Sequence, residues 1–332
     1  MGQYYIKSGE NRKETKKLVE QEITSWLMSK ELSAIVESFG GTIPVSFNIK
    51  ERAKWLLEFS NHWDYRAKQK TAQEHKTKES ARWLISNDEI TENQKKIVED
   101  NIANLGLIGV TNPVETAFDY IIALGGARMS CLYRPQYVRQ LIENERLAPR
   151  MVVMLSGMRA ISDTEREATD GYALGAETEF DLINAGAEKV FNLPKEYMEE
   201  RFVCENANRS WAVRTYESKD YAYPIVSISG PSSEPEIRRA NSADTFQFFC
   251  NKYCINEGSK ILLVTSQIYV PYQQMEAIRT WAIPNDVYVE TVGFPIEWNK
   301  GKQQGMMMAA NYLQEIRSMI QSINRYLDEY GD

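Results

Sequence analysis

Three short apolar runs in the chain end in small or polar residues of the kind that bind anionic ligands. The residues that follow these runs are Gly125, Gly126 and Arg128, then Ser156, Gly157 and Arg159, and finally Thr265 and Ser266. Glycine allows a ligand to approach the backbone closely, and hydroxyl and guanidinium groups donate hydrogen bonds. We therefore predict that these residues bind a nucleotide-like or phosphorylated small molecule.

A polar segment ahead of the third run supplies candidate acids. Glu236, Asn241 and Asp244 lie there, close to the start of a helix predicted over residues 240–256. A carboxylate beside a ligand can act as a general base or orient an acceptor group. We therefore predict Glu236 and Asp244 as catalytic residues and Asn241 as a ligand-binding residue. The alternative interpretation is that Asn241 or Ser242 only caps the helix.

Several common catalytic and cofactor motifs are missing from the sequence. It has neither a Walker A motif nor a GxGxxG fingerprint after a strand, which are the usual signatures of ATPases and NAD enzymes. Its two histidines are His62 and His75, and its four cysteines form no CxxC pair. The chain therefore has few residues from which a Ser-His-Asp triad or a histidine-rich metal site could form, and we predict no metal.

Five apolar runs predict the strands that position the candidate residues. They lie at 119–124, 151–155, 224–229, 261–264 and 287–292, with helices over 134–146, 164–186, 240–256 and 271–282. Continuous apolar strands separated by helices are typical of a parallel sheet covered on both faces, whose ligands bind beyond the carboxyl ends of the strands. We predict an α/β fold with a doubly wound, mostly parallel, Rossmann-like sheet, an N-terminal helical region and a C-terminal helix.

The spacing of apolar residues changes along the chain and predicts three regions. Residues 1–112 form an N-terminal helical region, because their apolar residues recur at helical spacing. Residues 113–300 form the Rossmann-like α/β domain, with an irregular aromatic insertion at 188–223 that has room for a hairpin. Residues 301–332 form a C-terminal helix that packs on the α/β domain.

Charge and hydropathy restrict the partners of the chain. Its net charge is -7, so it lacks the general attraction to phosphate backbones on which non-specific nucleic-acid binding depends. No apolar run has the length of a membrane span, and the N-terminal residues lack the apolar core of a signal peptide. We predict a cytoplasmic protein whose partner is a small-molecule ligand, with neither nucleic acid nor membrane as a partner.

The order of the motifs resembles the SanA/YdcF/ElyC-like family, a bacterial domain of largely unknown function, over about residues 117–295. That family has a Gly-rich loop, a Ser-Gly pair, a Glu-x-x-Ser-x-Asn-Thr-x-Glu-Asn segment and a Val-Thr-Ser-x-x-His-x-x-Arg segment. The counterparts in this chain are Gly125-Gly126, Ser156-Gly157, Glu236 with Asn241-Ser242 and Asp244-Thr245, and Val264-Thr265-Ser266. Tyr269 and Tyr272 stand where that family has its His and Arg, so the two most reactive side chains of the pattern are replaced.

The resemblance implies a role for both tyrosines and suggests a ligand. Tyr269 takes the position of the proton-transfer group and is predicted as catalytic, whereas Tyr272 is predicted to stack on or hydrogen-bond to the ligand. Packing is the alternative interpretation for both side chains. Some members of that family are associated with S-adenosylmethionine, so this or another nucleotide is the expected cofactor.

Two functions follow from these residues. The first is a small-molecule enzyme of the transferase type that uses or acts on a nucleotide-like ligand, with S-adenosylmethionine as the leading candidate. The second is a non-catalytic sensor or binding module for a nucleotide or metabolite, which the replacements at Tyr269 and Tyr272 favour.

Overall fold

The computed structural model describes residues 6–67, 85–110, 112–299 and 308–331. The chain divides into two compact units. Unit 1 comprises Met1–Thr111, Gln267–Arg279 and Pro295–Asp332, and unit 2 comprises Asn112–Ser266 and Thr280–Phe294.

Unit 1 is built from helices. Its helices are α1 (Arg12–Leu27), α2 (Lys30–Ser38), α3 (Ile49–Phe59), α4 (Glu92–Asn101), α9 (Val270–Ala277) and α10 (Ala309–Tyr330), with 3-10 turns at Ser60–Trp63, Gln267–Tyr269 and Ile296–Asn299. Polar side chains cap the N-termini of several of these helices. Asn48 and Glu51 form a capping box at α3, and Thr91 and Gln94 form another at α4, so the first backbone N–H groups are satisfied locally.

The core of unit 1 forms around α10, the last helix of the chain. Its apolar side chains Ile316, Ile320 and Ile323 are buried, and α10 packs against α3 and α9. Polar side chains fix its position as well, because Asn324 Nδ2 donates to the Ala53 carbonyl at 2.9 Å. Residues from both ends of the sequence therefore share one core.

Unit 2 is a mixed α/β structure with a seven-stranded sheet. The strands are β1 (Tyr120–Leu124), β2 (Met151–Ser156), β3 (Met198–Phe202), β4 (Trp211–Tyr216), β5 (Ile225–Ser229), β6 (Lys260–Ser266) and β7 (Tyr288–Phe294), in the spatial order β3-β4-β5-β2-β1-β6-β7. Five strands, which lie in the order β5-β2-β1-β6-β7, pair in parallel. Strands β3 and β4 pair in antiparallel fashion and extend the edge beside β5. The order reverses at β1, since β2 and β5 lie on one side of it and β6 and β7 on the other.

Four helices accompany the strands of unit 2. They are α5 (Ser130–Asn144), α6 (Asp163–Ala173), α7 (Glu179–Phe191) and α8 (Ser242–Tyr253), with short turns at Ala207–Arg209 and Ile283–Asn285. A π-helical turn at Ile278–Ala282 has its first two residues in unit 1 and the rest in unit 2. Helix α5 packs on β1 and β6, while α7 and α8 both pack on β2 and β5. Every residue of β5 is buried, as expected of a strand inside a covered sheet.

The structure agrees with most of the predicted elements and differs in three places. All five predicted strands are present, but the predicted helix over 164–186 is two helices, α6 and α7. The predicted insertion at 188–223 contains β3 and β4, which pair in antiparallel fashion and lengthen the sheet. The C-terminal helix, predicted to pack on the α/β domain, belongs with the N-terminal helices in unit 1.

Candidate functional site at the carboxyl edge of the sheet

Small residues form a row across the sheet of unit 2, where its parallel strands end. Ser156 pairs with Ser229, and the residues before Gly125 and Ser156, Leu124 and Leu155, also pair. The backbone N–H of Gly125 donates to the Leu155 carbonyl at 2.6 Å, so the pairing continues to the end of both strands. The predicted glycine and serine strand ends are therefore neighbours in space.

Two hydroxyl groups in this row are buried without a hydrogen-bond partner. The exposed fractions of Ser156 and Ser229 are 6% and 0%, and neither Oγ atom bonds to another group in the described part of the chain. A buried hydroxyl without a partner costs about 1–3 kcal/mol. Two such groups side by side at a sheet edge are suited to a polar ligand or an ordered water.

The carboxylate of Glu179, the first residue of α7, lies directly over Gly125. A Cβ atom at Gly125 would lie 2.4 Å from Glu179 Oε1 and 2.7 Å from Ser156 Cβ. Both contacts are shorter than side chains tolerate, so only glycine fits between the acid and the serine. The Gly125 position thus brings a carboxylate and an unpartnered hydroxyl close to one point.

Arg159 holds Glu179 in place and joins it to a second acid. Its Nε lies 3.1 Å from Glu179 Oε2, and its two terminal nitrogens contact both oxygens of Glu165 at 2.8 and 2.9 Å. Burial alone would raise the pKa of Glu165, but the hydrogen bonds from Arg159 and from the Ser162 backbone outweigh burial and lower it. Arg159, predicted as a ligand-binding residue, is engaged by two carboxylates.

A second arginine, Arg134 of α5, is buried where the order of the strands reverses. Its Nη1 donates to the carbonyl groups of Leu124, at 2.8 Å, and of Gly125. Its Nη2 donates to Ser266 Oγ at 3.3 Å. The guanidinium therefore ties the end of β1 to the end of β6 and places positive charge beside the glycine turn.

The turn between β1 and α5 is fixed by local contacts. Arg128 adopts a left-handed backbone with φ 51°, and its carbonyl accepts a hydrogen bond from the hydroxyl of Tyr172 at 2.8 Å. Cys131 Sγ donates to the Gly126 carbonyl at 3.1 Å. Burial raises the pKa of the Cys131 thiol to about 12, so it stays protonated at neutral pH.

The start of α8 contacts the same edge of the sheet, as predicted. The hydroxyl of Thr245 lies 3.4 Å from the carbonyl of Ser156. Asn241 caps the helix through a capping box with Asp244, in which each side chain accepts from the other residue's backbone N–H. Here the alternative interpretation of Asn241, a helix cap, is what the structure shows.

Asp244 is held by charge and hydrogen bonds. Arg238 Nη2 lies 3.2 Å from Asp244 Oδ1, and the backbone N–H of Ser233 donates to the same oxygen at 3.2 Å. Burial would raise the pKa of Asp244, but the hydrogen bonds from Arg238 and Ser233 lower it to about 2. The carboxylate is a strong acceptor and a weak base at neutral pH.

The other two candidate catalytic residues lie in different surroundings. Glu236 is exposed, and Arg209 Nη2 contacts its Oε1 at 2.8 Å. Tyr269 and Tyr272 belong to unit 1, whereas the remaining candidate residues belong to unit 2. Tyr269 is buried in a 3-10 turn, and burial raises the pKa of Tyr272, with a further contribution from nearby Glu276.

The remaining predicted residues sit at the ends of β2 and β6. Gly157 follows β2 in open space, since a Cβ atom there would meet nothing closer than 4.0 Å. The hydroxyl of Thr265 is buried and has no partner within the described ranges, whereas Ser266 accepts from Arg134. Within those ranges, no group of three or more His, Cys, Asp or Glu residues is placed to hold a metal ion. None of the described helices combines the length and apolar character that crossing a membrane requires.

Sequence comparison relates most of the chain to mycobacterial proteins. The chain is 32% identical over 321 residues to the uncharacterized protein Rv3785 of Mycobacterium tuberculosis, covering 92% of this chain and 88% of that protein. The uncharacterized protein Mb3814 of Mycobacterium bovis matches equally well. The chain belongs to the Rv3785 family. The family profile named Rv3785 N-terminal domain matches residues 10–106, and no solved structure matches the chain.

This membership corrects the resemblance drawn from the motifs. The assignment to the SanA/YdcF/ElyC-like family is wrong, because both the family profile and the relatives that match 92% of the chain identify Rv3785 proteins instead. The motifs that suggested it are short strand ends rich in glycine and serine, which many α/β sheets share. The roles carried over from that family to Tyr269 and Tyr272 lose their basis.

Three residues at the edge were missing from the predicted site. They are Glu179, Arg134 and Ser229. Ser229 is the last residue of a predicted strand and Ser156 directly follows another, so the same reasoning applied to every strand end finds Ser229. Glu179 stands where the resembled family has an acid on the helix after its Ser-Gly pair, but it was not assigned to the site. No local pattern marks Arg134, whose partners are the nearby Leu124 and Gly125 and the distant Ser266.

Proposed function

We propose that the carboxyl edge of the sheet in unit 2 binds a nucleotide-like metabolite and that the protein is a transferase acting on small molecules. The observation that carries the proposal is the pair of buried, unpartnered hydroxyls of Ser156 and Ser229 beside the Gly125 turn. Such hydroxyls offer both donors and acceptors to the oxygen and nitrogen atoms of a ligand.

The arrangement of the strands supports a nucleotide as the ligand. In chain order the five parallel strands lie as 3-2-1-4-5, the order of a Rossmann-like, doubly wound sheet. With right-handed crossovers, the reversal at β1 places the connecting helices on both faces of the sheet. Folds of this kind bind their ligands beyond the reversal point, where Arg134 joins Gly125 to Ser266.

Charge at the edge favours a ligand with both hydroxyl and anionic groups. Glu179 Oε1 accepts hydrogen bonds from hydroxyls such as those of a ribose, and the buried guanidinium of Arg134 favours a carboxylate or phosphate nearby. S-adenosylmethionine carries ribose hydroxyls and a carboxylate, so it is the first ligand to test. We assign Glu179 as the acid closest to the proposed ligand, ahead of Glu236 and Asp244.

Thermal denaturation with a panel of ligands tests the binding site. The panel contains S-adenosylmethionine, S-adenosylhomocysteine, NAD, ATP and sugar phosphates, and at least one should raise the melting temperature. Ser156→Ala should lower the affinity for that ligand by roughly 5-fold to 10-fold, as expected for the loss of one hydrogen bond of about 1 kcal/mol. Ser227→Ala is the matched control, because Ser227 is also buried and unpartnered but lies two residues before the end of β5. A panel without any shift contradicts the proposal.

A non-catalytic binding module is the second candidate function. The observation that favours it is that Asp244 and Glu236 are both paired with arginines, which leaves fewer acids for proton transfer. Glu179→Gln separates the two functions once a ligand is known. Lost turnover with retained binding identifies a transferase, whereas binding without turnover of any acceptor in either protein identifies a sensor.

A further inference from the structure

Strand β3 forms an open edge of the sheet in unit 2. It pairs with β4 on one side, and no strand of the described chain pairs with its other side. All five residues of β3 are exposed. An edge strand presents unpaired N–H and C=O groups, which are a template for pairing with a strand of another chain.

Exposed apolar side chains are concentrated on this edge. Ten large hydrophobic residues are exposed among the described residues, and four of them lie between positions 197 and 203. They are Tyr197, Met198, Phe202 and Val203, with exposed fractions of 43%, 62%, 48% and 65%. A cluster of this kind on a strand that can still pair marks an interaction surface rather than scattered surface residues.

The sequence of the edge is complementary to itself. When a second copy runs antiparallel about a two-fold axis at Glu200, Tyr197 faces Val203, and Met198 faces Phe202. Glu199 then faces Arg201, so opposite charges meet on both sides of the axis. Within this segment only Glu200 faces the same residue of the second copy. Lys252 Nζ lies 2.8 Å from Glu200 Oε2 and offsets the repulsion between the two carboxylates.

We propose that two copies of this chain form a symmetric dimer through antiparallel pairing of their β3 strands. The same patch serves both copies, as a two-fold axis requires, and the two sheets join into one. The palindromic pattern of apolar, acidic and basic residues favours a second copy over an unrelated strand, because every exposed apolar residue then meets an apolar one.

Sedimentation equilibrium across micromolar to millimolar concentrations tests the dimer. The wild-type chain of 38.2 kDa should sediment with twice that mass. Met198→Lys combined with Phe202→Lys should halve the observed mass, because four lysines then face one another across the axis. Ile237→Lys is the matched control, since Ile237 is 80% exposed in the same unit but lies outside β3, and it should leave the mass unchanged. A wild-type monomer at every concentration, or a dimer that survives the double change, overturns the proposal.

A cysteine on the proposed axis tests the register. In a background with Cys204→Ser and Cys254→Ser, Glu200→Cys should give a disulfide-linked dimer on mild oxidation, because directly opposed residues lie within bonding reach. Glu199→Cys should not cross-link, since position 199 faces position 201. Cross-linking of both variants or of neither rejects this register and the proposed pairing.

Discussion

Asp244 supplies stability that depends on pH. Its pKa is lowered to about 2 in the folded chain, against 3.8 for an unperturbed carboxyl group. A carboxyl group with a lowered pKa stabilises the folded state above its unfolded pKa, and that stability is lost as the pH falls toward its folded pKa. The contribution should therefore be complete above about pH 4 and disappear between about pH 4 and pH 2.

Asp244→Asn should lower the free energy of unfolding by about 1 kcal/mol at neutral pH, after allowance for partial screening by solvent. Urea denaturation at neutral pH and near pH 2 measures the difference. The wild-type and variant curves should nearly converge at the lower pH, because the Asp244 carboxyl group is then protonated in the unfolded chain and about half protonated in the folded chain. A difference that is the same at both pH values argues against a charge-based role.

Gly125 is predicted to be intolerant of any side chain. A methyl group there would meet Glu179 and Ser156 at 2.4 and 2.7 Å, so Gly125→Ala should lower the free energy of unfolding by about 1–3 kcal/mol. Gly171→Ala in α6 is the control. Nothing lies within 4 Å of its Cβ position, and alanine favours a helix over glycine by about 1 kcal/mol, so this change should raise stability. Urea denaturation of both variants checks the opposite signs.

At the scale of elements, the close contact between α7 and α5 positions the site. A Cβ atom at Gly186 would lie 2.0 Å from the backbone oxygen of Cys131, so α7 approaches α5 to a distance that no side chain allows. Because Glu179 begins the same helix, moving α7 also moves its carboxylate away from Gly125.

Gly186→Ala should therefore affect both stability and the edge of the sheet. We expect the free energy of unfolding to fall by about 1–3 kcal/mol and the affinity for a ligand of the edge to fall with it. Ala187→Gly is a control on the same helix, since it weakens the helix without pushing it outward. Urea denaturation and ligand titration report the two effects. Reduced affinity in Ala187→Gly but not in Gly186→Ala would contradict this role of the contact.

The apolar runs were sufficient to predict the five parallel strands, whereas β3 and β4, the helix boundaries and the side-chain partners were harder to predict. A buried parallel strand is marked by its own residues, and all five predicted strands are present. The single helix predicted over 164–186 is interrupted because Thr178 and Asp181 form a capping box that starts α7. The Thr-x-x-Asp pattern is visible in the sequence and is sufficient to predict a helix start at this position. The approach of Glu179 to Gly125, in contrast, depends on tertiary packing that no local pattern encodes.

At the scale of the whole molecule, unit 1 depends on residues from distant parts of the sequence. The side chains of Ile316, Ile320 and Ile323 are buried, and each contributes about 1.5–3 kcal/mol by leaving water. Arg317 Nη1 also donates to Ser60 Oγ at 3.0 Å. The sequence predicted the helices at both ends of the chain, but nothing local indicated that they pack on each other.

A fragment of residues 1–111 should therefore not fold by itself, although the family profile covers residues 10–106 as one domain. The apolar contribution that it lacks is comparable to the whole stability of an ordinary domain, about 5–15 kcal/mol. Circular dichroism should show no cooperative thermal transition for this fragment. A sharp transition would mean that α10 adds little to the core. The full chain, and the fragment mixed with a peptide of residues 308–331, provide the comparison.

The discontinuous make-up of unit 1 also has a consequence for synthesis of the protein. Helices α1 to α4 emerge from the ribosome first, but the helix that completes their core is translated more than 200 residues later. At about 5–20 residues per second, that delay lasts on the order of ten seconds or longer. The nascent chain then lacks the helix that packs on α3, whose Ala53 and Leu56 are buried in the finished protein. We therefore expect the N-terminal helices to expose to nascent-chain chaperones, during this interval, apolar surface that the finished protein buries.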